Sequence, residues 1–393
     1  MIVKKNTIPV MWQVKTIDQV CKNLDNLRVP ISKEKRIKGD VPYYGATGVL
    51  DHVAGHIFDE ELLLIGEDGA DWSKFAKTAY LIEGKSWVNN HAHALKCKQI
   101  NPVYLKEYLN FNDLNLYVTG GTRGKLTKGI LSKIPVLVPP PTEQKKIAEI
   151  LACVDEDIDK TDEIIKKTQK LKKGLMQELL SRGIGHTKFK KTKLGEIPQE
   201  WKAEKIRNIC EIVSGSTPKT VNGAYWNGKI VWVTPADLSK RKSKYLYDSD
   251  RHITKEGFEG CSTVMVPKKS LIMSSRAPIG YLTINEIEAT TNQGCKSFIC
   301  KDIDVEYLYY FLSYNVTSIK NLGSGSTFLE VGRKELEKID VPMPRPEEQK
   351  QIAEILSAVD DKININKQIK SKLTELKKGL MQDLLSGEIR VKI

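Results

Sequence analysis

One block of this sequence is written twice, and the duplication constrains the possible fold more than any other feature. The segment from Ile134 to Ile184 recurs as Ile339 to Ile389, with each matched residue 205 positions later. A repeat present only twice predicts a two-fold arrangement, because solenoids need at least three stacked units. Gene duplication without a two-fold function is the alternative interpretation.

The duplication continues outside this block. Trp12 and Ile17 recur as Trp201 and Ile206, 189 residues later, so the second half holds 16 additional residues in its interior. The order along the chain is therefore variable unit, shared block, variable unit, shared block. We predict a first globular unit at 1–141, a helix at 142–182, a basic linker at 183–200, a second globular unit at 201–345, a helix at 346–387 and a tail at 388–393.

The composition favours an anionic partner. The 393 residues carry a formal net charge of +13, which is typical of nucleic-acid binding, although a solvated lysine-rich surface is the alternative. No run approaches the roughly 20 apolar residues of a membrane span. The first residues also lack the apolar stretch of a signal peptide, so we expect a cytoplasmic protein.

Cysteine and histidine spacing gives no sign of a disulfide framework or a metal site. The seven cysteines are odd in number and contain no C-x-x-C pair. His52 and His56, and His91 and His93, have ligand-like spacings but no acidic or thiol neighbour in sequence. We expect no metal.

Each repeated block predicts one long helix. Residues at alternating steps of four and three form a heptad seam that is apolar at its ends and polar in its middle, at Thr161, Thr168 and Asn366. Prolines precede and glycines follow each helix, and the 38 residues from Glu143 to Leu180 would form a rod of roughly 57 Å. The apolar seam positions are Ile147, Leu151, Val154, Ile158, Ile165, Leu175, Leu179, Ile352, Leu356, Val359, Ile363, Leu373, Leu380 and Leu384.

An isolated rod of this length with one apolar seam would be unstable in water. We therefore expect the two helices to pack against each other as an antiparallel coiled coil. The alternative is that each helix recruits a helix of another subunit, which would allow self-association when partners are absent.

The variable units combine short β-like runs with one amphipathic helix each. Gly and Asn punctuate the runs, which predicts an α+β unit with a mixed or antiparallel sheet. In the first unit, Asn101 followed by Pro102 resembles part of an amino-methyltransferase motif, but Val103 breaks that motif. A helix N-cap followed by proline at the first helical position explains the pair better.

Several polar loops carry side chains suited to DNA. Arginine reads guanine, Asn and Gln read adenine, and small residues let the backbone approach phosphate. An ordinary loop role is the alternative for each residue. The candidates are Lys74, Trp87, Asn89, Asn90, His91, Arg123 and Lys125 in the first unit, and Ser214, Ser216, Thr217, Lys219, Trp226, Arg241, Lys242, Arg276, Asn292, Gln293, Ser324, Ser326 and Thr327 in the second.

Catalytic motifs are scarce. The chain has no G-x-x-x-x-G-K-[ST] loop, so we do not expect ATP hydrolysis. Asp71, Glu83 and Lys85 have the order found in metal-dependent nucleases, which keeps a stand-alone nuclease open as an alternative. The second half has no such arrangement.

Over essentially its full length, the chain resembles the specificity subunit of type I restriction-modification systems. The repeated elements that carry the resemblance are PTEQKKIAEIL at Pro141, PEEQKQIAEIL at Pro346, and LKKGLMQ followed by an acidic residue and LLS at Leu171 and Leu376. LGEIPQEW at Leu194, SGSTP at Ser214 and TNQG at Thr291 also match. The duplicated block is specific, whereas the loop motifs are individually weak.

The resemblance implies two target recognition domains, each reading one half of a bipartite double-stranded DNA site, with two antiparallel helices as a ruler between them. It implies two methyltransferase subunits and restriction or translocase subunits as partners. AdoMet, ATP and Mg²⁺ would belong to those partners, with no cofactor and no catalysis in this chain. A coiled-coil adaptor that binds only protein is a further alternative. By analogy with dimeric repressors, the half-sites should lie about one helical turn apart.

Overall fold

The computed structural model describes residues 8–121, 124–241, 243–276, 278–324 and 329–392, which divide into two compact units. The first unit comprises residues 1–164 and 366–393, and the second comprises residues 165–365. Each unit therefore contains one variable region together with parts of both repeated blocks.

The first variable region is an α+β fold. In chain order its elements are β1 (Gln13–Thr16), α1 (Ile17–Val20), β2 (Cys21–Asn23), β3 (Lys38–Gly45), β4 (Gly48–Val53), β5 (Phe58–Asp59), β6 (Leu62–Gly66), β7 (Ala79–Ile82), β8 (Lys85–Val88), β9 (Ala92–Cys97), α2 (Pro102–Phe111), α3 (Lys128–Leu131) and β10 (Pro135–Val138). The long helix α4 (Pro141–Arg182) follows.

Two four-stranded sheets form the centre of the first unit. One has the order β2-β9-β6-β7 and is antiparallel throughout. The other has the order β4-β3-β8-β5 and contains the parallel pair β3 and β8. Strands β1 and β10 pair separately, which brings the start of the unit to the start of α4.

The second half repeats this plan with additions. Its elements are β11 (Phe189–Thr192), β12 (Gly195–Pro198), β13 (Lys202–Lys205), α5 (Ile206–Ile209), β14 (Cys210–Ser214), β15 (Trp226–Val233), α6 (Pro235–Lys240), β16 (Tyr245–Leu246), β17 (His252–Ile253), α7 (Lys255–Glu259), β18 (Leu271–Ser274), β19 (Leu282–Asn285), β20 (Thr290–Thr291), β21 (Cys295–Cys300), α8 (Val305–Tyr314), α9 (Val316–Asn321), α10 (Arg333–Leu336), β22 (Asp340–Met343) and α11 (Pro346–Ser386).

The main sheet of the second unit has the order β14-β21-β18-β19-β16, and a smaller sheet has the order β17-β15-β20. Parallel pairing occurs between β16 and β19 and between β15 and β20, whereas the other neighbours are antiparallel. The predicted α+β class with mixed or antiparallel sheets is thus confirmed. The segment interpreted from sequence as a linker contains the hairpin β11–β12.

Both predicted long helices are present, with 42 residues in α4 and 41 in α11. Every apolar position of the predicted seam is buried or half-buried, and so are Thr161 and Thr168. By contrast, Ile164, Leu171 and Leu376 lie off the seam and are about half exposed, at 42%, 56% and 53%. The predicted seam positions are therefore less exposed than these off-seam residues.

Ion pairs give the direction of packing within each unit. In the first unit, Asp155 pairs with Lys377 at 2.6 Å, and Asp162 pairs with Lys370. Residue numbers rise along α4 as they fall along α11, so these helix segments are antiparallel. In the second unit, Lys172 and Asp360 are the matching pair at 2.6 Å.

The repeated glutamates at the starts of the long helices bind tryptophans at the starts of the variable regions. In the first unit, the Trp12 indole donates to buried Glu143 at 2.9 Å, and Arg390 donates to the same carboxylate at 2.6 Å. In the second unit, Trp201 donates to Glu348 at 3.0 Å. The duplicated tryptophan and glutamate thus join the start of the variable region to the start of a long helix in the same way in both units.

The repeated glutamines join the long helices to the amphipathic helices. Gln144 accepts from the backbone amide of Asn101 at 2.8 Å, and Gln349 accepts from that of Asp304 at 2.8 Å. Asn101 itself caps α2 by accepting from the Tyr104 amide at 2.9 Å, with Pro102 in the first turn. The predicted N-cap is confirmed.

Within the described part of the chain, no helix is long and apolar enough to cross a membrane.

Candidate nucleic-acid interface

In the second unit, two of the polar loops selected from sequence meet where β14 ends and β21 begins. The Ser216 amide donates to the Thr291 carbonyl at 3.0 Å, and the Thr217 hydroxyl donates to the Gln293 side chain at 2.5 Å. Gly215 allows this approach, since a Cβ there would lie 2.0 Å from the Thr291 oxygen. Ser214, Ser216, Thr217, Asn292 and Gln293 therefore belong to one surface.

Arg276 extends this surface from the end of the neighbouring strand β18. Its guanidinium lies 3.8 Å from Glu330, which also pairs with Lys296 at 3.2 Å. Ser324 exchanges backbone hydrogen bonds with Glu330 at 3.0 and 3.1 Å. The Arg276 side chain is 35% exposed and its ion pair is long, so its contact with Glu330, among the described residues, leaves donors available to a ligand.

Aromatic side chains support the Ser214–Lys219 loop. The Trp232 indole donates to the Ser216 carbonyl at 3.0 Å, and the Trp226 indole donates to the Lys219 carbonyl at 3.4 Å. Arg251 stacks on both rings, 3.8 Å from the Trp226 centroid and 4.9 Å from that of Trp232. Sequence reasoning missed Arg251, which lies in no motif and reaches the loop only through strand pairing.

Arg241 has a different structural role. It donates to the carbonyl of Tyr245, and to that of Asp248 at 3.3 Å. Burial lowers the pKa of Arg241 below its ordinary value, against the raising effect of Asp237. The side chain therefore holds its own loop together. Lys219 is exposed, and the predicted Arg123, Lys242, Ser326 and Thr327 lie outside the described residues.

The first unit gathers equivalent loops at the end of β6. The Glu67 amide donates to the His91 carbonyl at 2.8 Å, and the Leu126 amide donates to the Glu67 carbonyl at 2.8 Å. Lys125 pairs with Glu67 at 2.9 Å, and the His91 ring lies 2.5 Å from Asp68. Predicted His91 and Lys125 thus share one surface.

The remaining predicted DNA-binding residues of the first unit differ in their structural contacts. Asn89 is buried and accepts from the His91 amide at 2.8 Å, so it shapes the loop, whereas Asn90 is exposed. The Trp87 indole donates to the Val29 carbonyl at 2.6 Å. Lys74 instead donates to Gln382 of α11 at 2.9 Å and lies over two phenylalanine rings.

Beneath this surface lies a buried charge network centred on His93. One ring nitrogen lies 2.6 Å from Asp25 and the other 2.6 Å from the Leu126 carbonyl. The Leu126 carbonyl is an acceptor and the Asp25 carboxylate offers acceptor oxygens, so each ring nitrogen faces an oxygen. Burial acts to raise the Asp25 pKa, but hydrogen bonding and charge from His93 outweigh it and hold that pKa below its ordinary value.

Asp25, Glu67 and His93 place potential ligand atoms within 4.8 Å of one another, the spacing of a metal site. Arg28 donates to Glu67 at 2.7 Å and Lys125 pairs with it at 2.9 Å, so protein cations already neutralise the carboxylate. The arrangement fits an internal ion network better than a metal centre. From the sequence, only the His91/His93 spacing suggested metal ligands, and nothing indicated that Asp25 and Glu67 lie beside His93.

The nuclease alternative gains no support from the structure. Asp71 is exposed and binds the backbone and hydroxyl of Ser73 at 2.9 and 2.6 Å. Among the residues with described positions, Asp71 and Glu83 do not join any group of three potential metal ligands.

The two units carry opposite charges at matching backbone positions. In the first unit, Asp68 forms an isolated β-bridge with Lys125, and in the second, Arg276 forms the equivalent bridge with Glu330. The Leu126 amide binds Glu67, just before Asp68, as the Val331 amide binds Ser275, just before Arg276. One scaffold therefore presents a carboxylate in one unit and a guanidinium in the other.

The fold and these paired loop surfaces define a class: a duplicated recognition protein with two similar α+β units and two long helices. Residues 9–171 and 198–375 match the family profile described as type I restriction modification DNA specificity domain. Because the match covers most of the sequence, the chain belongs to that family.

Individual relatives agree with this assignment. The chain is 41% identical over 192 residues to the type I restriction enzyme MjaIX specificity subunit of Methanocaldococcus jannaschii, a match covering 48% of this chain and 44% of that protein. It is 27% identical to the putative type I restriction enzyme MjaX specificity subunit of the same organism, over 98% of this chain and 95% of that one.

Solved structures share the fold. The type I restriction-modification S subunit from M. genitalium superposes with a TM-score of 0.63 at 15% identity, covering 98% of both chains. A chain from a structural study of assembly and conformational transition of the type I R-M system superposes with a TM-score of 0.57, also at 15% identity, covering 97% of this chain and 99% of that one.

Proposed function

We propose that this chain is the sequence-specific DNA-binding specificity subunit of a type I restriction-modification complex, and that each unit reads one half of a bipartite, asymmetric site. The observation that carries the proposal is the pair of equivalent loop surfaces with opposite charge at Asp68 and Arg276. Family membership supplies the biological setting, and the formal net charge of +13 suits a polyanionic partner.

The different charges imply different bases. A carboxylate such as Asp68 accepts hydrogen bonds and suits the amino group of cytosine, whereas an arginine such as Arg276 donates two parallel hydrogen bonds to guanine. Exposed Gln293 adds an amide suited to adenine on the second surface. Asn292 instead accepts from the Gly294 amide at 3.0 Å and shapes the loop, as Asn89 does in the first unit. Two units with unlike polar groups would recognise unlike half-sites, so the complete site need not be palindromic.

The two long helices set the gap between the half-sites in this proposal. Each helix contributes to both units, since the unit boundaries fall within α4 and α11. The intrahelical hydrogen bonds make each helix a stiff element of fixed rise per residue. The gap should therefore depend on helix length and not on which bases are read.

Methyltransferase subunits and restriction or translocase subunits are the proposed partners. They would carry AdoMet, ATP and Mg²⁺ and perform the chemistry, while this chain supplies recognition and a scaffold for assembly. The sequence supports this division because it contains neither a phosphate-binding G-x-x-x-x-G-K-[ST] loop nor a glycine-rich cofactor loop.

Binding to DNA tests the proposal directly. The assembled complex of this chain with its methyltransferase subunit should bind a duplex containing both half-sites more tightly than a duplex with either half scrambled. Its affinity should also fall as salt rises, because phosphate contacts release counterions. Equal affinity for all three duplexes would remove the proposed specificity, and salt-independent or undetectable binding would favour the protein-binding adaptor.

A further inference from the structure

Each unit contains a pair of facing thiols at the same place in one of its sheets, the sheet β2-β9-β6-β7 in the first unit and β14-β21-β18-β19-β16 in the second. In the first unit, the sulfur atoms of Cys21 and Cys97 lie 3.8 Å apart. In the second, those of Cys210 and Cys300 lie 3.9 Å apart. All four are free thiols in the structure.

The backbone places the two pairs identically. Cys21 and Cys210 are the first residues of β2 and β14, directly after the short helices α1 and α5. Cys97 and Cys300 are the last residues of β9 and β21. Each pair consists of direct register partners in antiparallel strands.

Other cysteines did not keep this symmetry. Cys153 on α4 corresponds to Ala358 in the second copy of the block. Cys295 begins β21, whereas the equivalent strand β9 begins with Ala92. Two pairs retained in variable regions that differ at most other positions point to a property of the pair itself.

We propose that the two pairs are oxidation sites at which a peroxide converts Cys21 with Cys97, and Cys210 with Cys300, into cross-strand disulfides. Antiparallel register partners have Cα atoms about 4.5–5.5 Å apart, inside the roughly 4.4–6.8 Å range of disulfides. Bond formation at about 2.05 Å then requires the sulfurs to approach by less than about 2 Å, within reach of side-chain rotation.

The chemistry balances with hydrogen peroxide as the two-electron oxidant. Cys97 and Cys300 are half-buried while their partners are buried, so peroxide reaches them first. The thiol becomes a sulfenic acid and one water is released; the partner thiol then displaces the hydroxyl as a second water and forms the S–S bond. Because the partner thiol and burial raise the pKa values of Cys21 and Cys300, the reaction should be slow at neutral pH.

The disulfides would leave the candidate DNA surface unchanged. In β14, Cys210 pairs with Cys300 at one end of the strand, whereas Ser214 pairs with Lys296 at the other end, where the Ser214–Lys219 loop begins. A bond at Cys210 would close a loop over a sequence separation of 90 residues, and one at Cys21 a separation of 76. Such loops restrict the unfolded chain, so oxidation should raise thermal stability.

The test treats the full chain with hydrogen peroxide, blocks remaining thiols with iodoacetamide in denaturant, and maps the cross-links by peptide mass spectrometry. We expect two intramolecular disulfides, Cys21 with Cys97 and Cys210 with Cys300, and a melting temperature several degrees higher that returns to its starting value with dithiothreitol.

Two single-cysteine variants test the two pairs separately. Cys97→Ala should abolish only the first cross-link and Cys300→Ala only the second, with each variant keeping part of the thermal shift. Exposed Cys153 reports that the oxidant was effective. If Cys153 is fully oxidised while all four paired cysteines are recovered as iodoacetamide adducts, the proposal is wrong and the pairs serve only as small apolar packing groups.

Discussion

Arg276 and Asp68 occupy matching backbone positions but carry opposite charges, which locates the difference between the two units in single side chains. Arg276 remains 35% exposed beside Glu330, and the His91 ring lies against Asp68 in the other unit. The shared backbone fixes where these groups are presented, whereas their charge decides which base edge they can bind.

Replacing Arg276 with alanine should relax base preference at one position in one half-site. The expected loss is about 1–3 kcal/mol of discrimination, the value of one bidentate base contact. Competition binding with duplexes substituted at one base pair at a time measures it. Asp68→Ala, at the matching position of the first unit, is the control and should affect only the other half-site. A uniform loss across both half-sites would assign Arg276 to phosphate binding instead.

The buried network of the first unit should control stability. Asp25→Asn removes the carboxylate that faces the His93 ring, and since the Asp25 and His93 side chains are 5% and 0% exposed, we expect a loss of about 3 kcal/mol in unfolding free energy. Urea denaturation of the wild type and variant gives this number. Asp71→Asn, at an exposed acid of the same unit, should leave the urea midpoint unchanged.

The same substitution has a predicted pH dependence. The folded-state pKa values of Asp25 and Glu67 lie below their ordinary values of 3.8 and 4.5, since His93 and the cations Lys125 and Arg28 outweigh the opposing effect of burial. Their stabilisation is complete above those ordinary values and is lost as pH falls towards the folded pKa values. Asp25→Asn should therefore make stability less sensitive to acid. An unchanged acid profile would contradict the network.

At the scale of elements, the antiparallel register of α4 and α11 depends on matched ion pairs as well as the seam. Lys172 and Asp360 lie 2.6 Å apart with both side chains 23% exposed, and the duplicated pair Asp155 and Lys377 also lies 2.6 Å apart. The apolar seam repeats every heptad, so charges help to exclude shifted registers.

Charge reversal tests this register. Lys172→Glu alone should destabilise the second unit by about 1 kcal/mol, and adding Asp360→Lys should restore most of that loss. Thermal unfolding of the two single variants and the double variant supplies the cycle. Exchanging the charges of the exposed pair Glu156 and Lys160, which lies within α4, is the control. This exchange should show no interaction energy with the substitution at Asp360 of α11. Additive effects of Lys172→Glu and Asp360→Lys would rule out a direct pair.

The long helices and the α+β class were predictable because each rests on local information. Heptad spacing, the Asn101 cap and alternating β-like runs are written in consecutive residues. The candidate surfaces were only partly predictable, since strand pairing brings distant residues together: Arg251 onto Trp226, and Asp25 and Glu67 onto His93. Arg241 was predicted to contact DNA, but its guanidinium donates to backbone carbonyls of its own loop. Such partners cannot be identified from the sequence.

For the whole molecule, we expect helix length to set the number of base pairs between the two DNA half-sites. Removing seven residues from the middle of both α4 and α11 keeps the seam in phase and shortens each helix by about 10 Å, the length of roughly three base pairs. The methylated motif should keep both half-sites and lose about three base pairs of spacer. Deleting the heptad from one helix only is the control and should prevent assembly by breaking the register. An unchanged spacer length in the double-deletion variant would contradict the proposal that helix length sets the gap between the half-sites.

The most direct measurement is single-molecule sequencing of genomic DNA from cells that express this chain with its methyltransferase subunit. We expect modified adenines in a split motif with a fixed gap and two unlike half-sites, and Arg276→Ala should relax the sequence of only one half-site. A continuous or palindromic motif would contradict the assignment of one half-site to each unit. No new modification by an assembled complex would contradict the proposed role in DNA recognition.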